Sequence, residues 1–365
     1  MQSLFRLPGP TPLPPSVLAA MQRPMIAHRS SEFRTFYRGL LDRLRRVHRT
    51  DGDVLLWPGS GSAGWEIAIA NLINQGDPVL IAVCGDFGDR FARVAIALGA
   101  DVRRVDAPWG QAITPDILRQ GLNQHPDVVA VLLTHNETST GVTNPLKELA
   151  SEVRSHGALV LVDAVSSAAG LPLEVDGWGL DFVLSGSQKA WMSPPGVVIV
   201  AVGERVWAAQ RRCTNPLYFW SIADARDAAL NGSTTTTPPL STLYALDAAS
   251  RMIESESVDE VWKRHQVVGN RTRAGLADLG LEVFADQTYA SNTVTAFYPP
   301  SRDSAKPIVD AMFQEHGVTI AGGQGHLADA ILRIGHMGWV NLDDIDACLG
   351  ALALTLSARS KESAA

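Results

Sequence analysis

Lys189 stands in the run VLSGSQKAW, just past an apolar strand, where its amine could hold a carbonyl cofactor covalently. Asp163 closes another apolar run, ALVLVD, which reads as a buried parallel strand ending in a carboxylate. The acid therefore sits at the carboxyl edge of a sheet, where open α/β sheets take their ligands. A carboxylate buried there is costly unless a cation or hydrogen-bond donors meet it, and a protonated pyridine nitrogen would serve. A helix cap or turn is the alternative role. Only a short connection and one further strand, Asp181 to Leu184, separate the acid from the lysine, so both side chains should emerge along one rim.

The third feature is the stretch PGSGSAGWEIAIANLI at 58–73, a Gly/Ser turn followed by apolar residues at helical spacing. Backbone amides and hydroxyls at such a helix start can cradle a phosphate. It is not a P-loop, because no Gly-Lys-Ser/Thr follows, and no acid ends the next strand, Val79 to Val83, as a dinucleotide site requires. Phosphate turn, acid and amine, in that order, suit pyridoxal phosphate, with its ring nitrogen at Asp163 and its aldehyde at Lys189.

The elements that must position these groups follow from periodicity. Strands are expected near 53–57, 79–83, 101–105, 127–133, 158–162, 181–184 and 196–202, alternating with helices near 62–74, 87–98, 114–123 and 145–155. Such alternation gives a parallel sheet covered on both faces. Thr114-Pro115 and Asn144-Pro145 place proline at helix starts. A helix near 31–48 should pack on a partner subunit. From 204 to 238 the pattern dissolves into polar, Thr- and Pro-bearing sequence around Trp207 and Trp220, read as loop lining the site or a dimer contact. A helical segment at 239–279, with Leu243, Leu246, Ala249, Met252 and Ile253 on one face, should link two domains. The remainder suggests a small α+β domain: strands near 281–284, 293–298 and 331–334, helices near 304–316 and 343–357, and the turn AGGQG at 321–325. The expected division is an arm at 1–20, a large domain at 21–245, and a linker helix with small domain at 246–365.

With these residues in place the chain resembles the class V aminotransferases of fold type I, in particular the alanine-glyoxylate and serine-glyoxylate aminotransferase group. The resemblance runs through LPGPTPLPP from residue 7, HRSSEF at 28–33, PGSGSAGWE, CGDFGDRF at 84–91, THNETSTG at 134–141, VDAVSS, SGSQKAW, TTTTPPLSTLYAL at 234–246 and LRIGHMG at 332–338. It implies an α/β fold: a large domain whose mostly parallel sheet is covered by helices, plus a smaller C-terminal α+β domain. It implies pyridoxal 5'-phosphate as cofactor, Lys189 as its covalent anchor and general acid/base, and Asp163 as partner of the ring nitrogen. Ser60, Gly61 and Ser62 would hold the phosphate. Phe87 would stack on one ring face, although periodicity alone allows a core role, and Val165 would pack on the other. Thr138 and Gln188 would contact the cofactor, and Thr237 would reach the phosphate of a neighbouring subunit, so that a homodimer completes the sites. Thr234, Thr235 and Thr236 stand where relatives often carry an aromatic or histidine residue.

Arg333 would bind the substrate carboxylate, its planar fork matching a carboxylate as lysine cannot, with a salt bridge to a protein acid as the alternative. His326 and His336 receive no role. The implied reaction is a ping-pong transamination from a small amino acid, alanine or serine, to a 2-oxo acid, glyoxylate above all. The absence of a second arginine in the matching motifs favours small neutral donors, and Arg29 or Arg90 pointing inward would reverse that. Lys189 must be largely neutral when free, and burial beside a cation would make it so.

A net charge of −7 without long runs, and no basic stripe, argue against nucleic acid. No apolar stretch is long enough for a membrane helix. Cys84, Cys213 and Cys348 have spacings that suit neither a metal site nor a disulfide framework, and a reducing cytoplasm fits them. Cys84 reads as a small apolar filler. Nine arginines against two acids in the first fifty residues invite a targeting-peptide reading, but family-like sequence beginning within ten residues of Met1 argues against a presequence. A cysteine desulfurase or other class V lyase is the alternative enzyme. A desulfurase needs a reactive cysteine on a mobile loop, and Cys348 lies in the apolar run ACLGALAL. A cofactor-binding homologue without turnover is the third possibility, and such a scaffold has no physical need to keep Lys189, Asp163 and Arg333 together.

Overall fold

The computed structural model describes residues 4–364. The first three residues of the expected arm and Ala365 lie outside them. A seven-stranded sheet runs in the order Asp53–Gly59, Gly196–Val202, Phe182–Gly186, Leu159–Asp163, Ala130–Thr134, Pro78–Val83 and Asp101–Asp106. Every strand is parallel to the rest except Gly196–Val202, which is antiparallel to both neighbours. The strands are apolar on both faces, and the alternation divides them between two cores. Val160 and Val162 join one core with the Ser31–His48 and Leu240–Glu256 helices; Leu159 and Leu161 join the other with the Gly61–Leu72 and Asp86–Ala97 helices.

Because the strands are parallel, their carboxyl ends share one rim. Gly59, Val83, Thr134, Asp163 and Gly186 end there, and Thr134 pairs in register with Asp163. Helices follow where the sequence placed them, with Thr114 accepting from the amide of Ile117 and Pro115 opening the helix. The smaller unit is a three-stranded antiparallel sheet, Val294–Phe297, Leu332–Gly335 and Ala321–Gly322, packed with the Val258–Asp278, Lys306–His316 and Leu342–Ala364 helices. The arm reaches this unit as well: Leu4–Phe5 pairs in parallel with Val318–Thr319, and Arg6 accepts from the Gly335 amide.

Four expectations change. The strand near 281–284 is only an isolated bridge between Val283 and Phe297, too short to hold a ladder. The single helical segment at 239–279 is two helices, Leu240–Glu256 and Val258–Asp278. They break at Ser257, whose φ of 72° cannot continue a helix and whose side chain caps the second one. The expected loop at 204–238 contains helices Glu204–Gln210 and Ile222–Leu230, and Trp207 and Trp220 pack on the sheet-face core instead of the rim. The AGGQG turn holds the short strand Ala321–Gly322. The Ser31–His48 helix forms as expected, and Phe33, Tyr37, Leu40, Leu41 and Leu44 pack within the chain.

Candidate active site

A cavity of about 240 Å³ opens on the rim, and its walls come from the segments that follow the strands ending at Gly59, Val83, Asp163 and Gly186. Ser60, Gly61, Ser62, Phe87, Asp163, Val165, Gln188 and Lys189 all line it, joined by Trp65, Pro195 and the arm residues Gly9 and Pro10. Ser60 caps the Gly61–Leu72 helix without a side-chain bond of its own, so its hydroxyl and that of Ser62, both exposed, are available at a positive helix end. Gly61 lies so close to Val165 that a Cβ would sit 2.4 Å from that side chain. Gln188 places a buried carbonyl oxygen, Oε1, beside the same turn with no protein partner.

Asp163 is 4% exposed and accepts from the Val165 amide (2.8 Å) and from the Trp65 indole N–H (2.9 Å). Burial pushes its carboxyl up to about 6, against the pull of those two donors. Lys189 shows the opposite shift for the same reason: burial, reinforced by the nearby Arg333 charge, brings its amine down to about 8, with Asp163 opposing. The amine donates to the Pro8 carbonyl, and the Thr11 hydroxyl donates to the Lys189 carbonyl (2.9 Å). The arm thus crosses directly over the lysine. It can do so only at Gly9, where φ is 124° and a Cβ would meet the lysine Nζ at 2.5 Å.

Arg333 is 6% exposed at the second position of the Leu332–Gly335 strand. Its Nε donates to the Gly322 carbonyl (2.8 Å), and Nη1 donates to the Thr138 carbonyl and to Gln324 Oε1 (both 3.0 Å). None of these contacts uses Nη2, and among the described residues no Asp or Glu forms an ion pair with this guanidinium. The salt-bridge alternative therefore fails. Burial lowers its pKa to about 10, which leaves it cationic at neutral pH. Arg90, the possible second arginine, is paired with Asp86 (2.6 Å) and lies over the Phe87 ring, 5.2 Å from its centroid. Arg29 is exposed.

Three expected residues, Arg333, Thr138 and Thr237, do not line the cavity. Thr138 is buried with its hydroxyl donated to Ser166 (2.7 Å), so it reaches the site through its carbonyl on Arg333. Thr237 is exposed, in a segment whose neighbours Thr234, Thr235 and Thr236 line a separate cleft with Tyr37 and Trp57. His336 is buried against Thr295, and His326 stacks on Trp109 at 4.0 Å. Cys84 is buried beside Asn144, and Cys348 is buried in its helix with its thiol pushed up to about 12. Sequence reasoning missed Trp65, whose helical spacing looks like any core aromatic, and the Gly9-Pro10 segment, which only the fold brings to the lysine.

The residues present fit pyridoxal phosphate: a helix-start cradle with free hydroxyls, an anionic anchor, an unpartnered carbonyl oxygen and a partly neutral amine share one cavity. Among the described residues no group of three His, Cys, Asp or Glu side chains gathers that could hold a metal ion, and no helix is long and apolar enough to cross a membrane.

The aminotransferase class-V family model matches residues 5–338. A protein of Synechococcus sp. (strain PCC 6716) named soluble hydrogenase, small subunit, is 38% identical over 98% of this chain and 93% of its own length. The L-aspartate--glyoxylate aminotransferase of Paracoccus denitrificans is 33% identical over 92% of this chain and 87% of its own. The solved structure of an alanine--glyoxylate aminotransferase from Nostoc sp. superposes with a TM-score of 0.94 at 32% identity, covering 98% of this chain and 96% of that one.

Proposed function

The chain belongs to the class V aminotransferases, and on that premise we propose that it moves the amino group of alanine or serine to glyoxylate, in two ping-pong halves, with pyridoxal 5'-phosphate as cofactor. The observation that carries this reading is the convergence of Lys189, Asp163 and the Ser60–Ser62 helix start on one cavity, beside a buried arginine that forms no ion pair with an Asp or Glu among the described residues. When bound, the cofactor supplies a carbonyl that exchanges amino groups and a cationic ring that withdraws electrons. The protein's own residues do the rest. Ser60, Gly61 and Ser62 would hold the phosphate at the helix start, Phe87 and Val165 would flank the ring, and Asp163 would partner its nitrogen. Lys189 would be the anchor, and its amine, when free, would be the group that moves a proton at the substrate's α-carbon.

Arg333 receives the substrate carboxylate on the side of its guanidinium that the protein leaves open. Glyoxylate is named for both aminotransferase relatives above, whereas their donors differ. For the donor, the pairing of Arg90 with Asp86 supports a small neutral amino acid, because that cation already has a carboxylate partner. The Synechococcus relative carries a hydrogenase-subunit name and the other two carry aminotransferase names; the convergence of Lys189, Asp163 and Ser60–Ser62 supports the aminotransferase reading. A homodimer in which Thr237 reaches the neighbouring site is part of the proposal. A panel of amino donors against glyoxylate tests the reading, with Lys189→Ala and Arg333→Ala beside the native enzyme. Alanine or serine should be best; activity confined to aspartate or glutamate would overturn the donor assignment.

A further inference from the structure

The helix Asp86–Ala97, which carries Phe87 to the cavity wall, begins on Gly85, a residue with no side chain to cap it. Its first amides would be orphaned at a buried helix end, an arrangement that costs stability unless acceptors come from elsewhere. They come from the loop at 137–139. Ser139 Oγ accepts from the Asp86 amide (2.9 Å), and the Glu137 carboxylate accepts from the amides of Phe87 (3.3 Å) and Gly88 (3.0 Å). Glu137 also accepts from the Ser139 amide (3.0 Å) and hydroxyl (2.5 Å). Its side chain is wholly buried, and it packs on Gly85 so closely that a Cβ there would lie 2.3 Å from Glu137 Cγ.

We propose that Glu137 is a positioning residue of the active site: its buried carboxylate fixes the first turn of the Phe87 helix and, through the next residue's carbonyl on Arg333, ties that wall to the substrate-carboxylate site. Burial pushes the Glu137 carboxyl up, and the four donors that face its two oxygens, together with the helix end, work against that and favour the ionised form. The same anion opposes the loss of charge that burial imposes on Arg333. One residue therefore serves two ends of the site without lining the cavity, where sequence reading would look for it.

This inference rests on the transaminase reading for its consequences, yet part of its test is independent of it. Glu137→Gln keeps the shape, removes the charge and turns one acceptor into a donor facing an amide. In the full-length protein without added cofactor, exchange of the Phe87 and Gly88 amides should speed up by about tenfold or more while the rest of the sheet keeps its protection. With pyridoxal phosphate bound, the visible circular dichroism of the cofactor should change. Its dissociation constant and the KM for the amino donor should each rise about tenfold. The cofactor effect should be less than additive with Phe87→Leu, because both act on the same wall. A lower melting temperature with exchange at Phe87 and Gly88, dichroism, affinity and KM all native would overturn the proposal. If Glu137→Gln does not fold, Ser139→Ala decides: it removes one donor from the carboxylate and the acceptor for Asp86, and the same changes should appear, their absence refuting the role. A native protein that never takes up pyridoxal phosphate would sink the transaminase reading, while the exchange measurement still decides what Glu137 holds.

Discussion

The lysine amine offers the most quantitative prediction, because burial and a neighbouring guanidinium act on it in the same direction. An ordinary lysine at pH 7.5 is neutral in about one molecule in a thousand; at a pKa of about 8 the neutral share is about one in four, a gain of roughly 240-fold in reactive amine. Only the neutral form attacks a carbonyl, so the rate at which cofactor-free protein captures pyridoxal phosphate should climb with pH and level off above about 8. Two variants fix the sign. Arg333→Leu removes the cation that lowers the amine, so the midpoint should move up; Asp163→Asn removes the anion that opposes it, so the midpoint should move down. Stopped-flow absorbance against pH reads the capture rate, and the ligand's own titration is common to all three proteins. A native midpoint near 10.5, or a downward move in Arg333→Leu, would refute the electrostatic account.

Other variants test neighbouring contacts. Arg333→Lys cannot reproduce the fork that holds Gly322, Thr138 and Gln324, and should raise the KM for the amino donor about 100-fold with the cofactor spectrum unchanged. Trp65→Phe removes a donor to the ionised form of Asp163, which raises that carboxyl further. Titration with cofactor should show about tenfold weaker binding, and loss on acidification should begin at a higher pH. Gly9→Ala combines an unfavourable φ with a contact on the lysine terminus, and capture of pyridoxal phosphate should slow by at least about tenfold in the same stopped-flow assay.

The sequence carried the sheet and most of the cavity because both depend on local signals. Asp163 and Lys189 each follow an apolar run, and a parallel strand delivers whatever follows it to the rim. Ser60, Gly61 and Ser62 announce a helix start in the same way. What stayed hidden depends on contacts between distant segments. Trp65 is spaced like a core residue, and only its indole N–H facing Asp163 gives it another role. Glu137 reads as one more polar turn residue until the uncapped helix at Gly85 comes to lie against it. The resemblance puts Thr138 on the cofactor, whereas its hydroxyl donates to Ser166. The Ser257 break and the helices at 204–210 and 222–230 escaped periodicity, since a single positive φ leaves no pattern and short helices carry too few turns to make one.

Borohydride reduction of the cofactor-loaded protein, followed by peptide mass mapping, tests the central claim most directly. The account predicts a reduced pyridoxyl group on the peptide containing Lys189, absent from Lys189→Ala. Attachment to another lysine, or native protein that retains no pyridoxal phosphate at all, would contradict it.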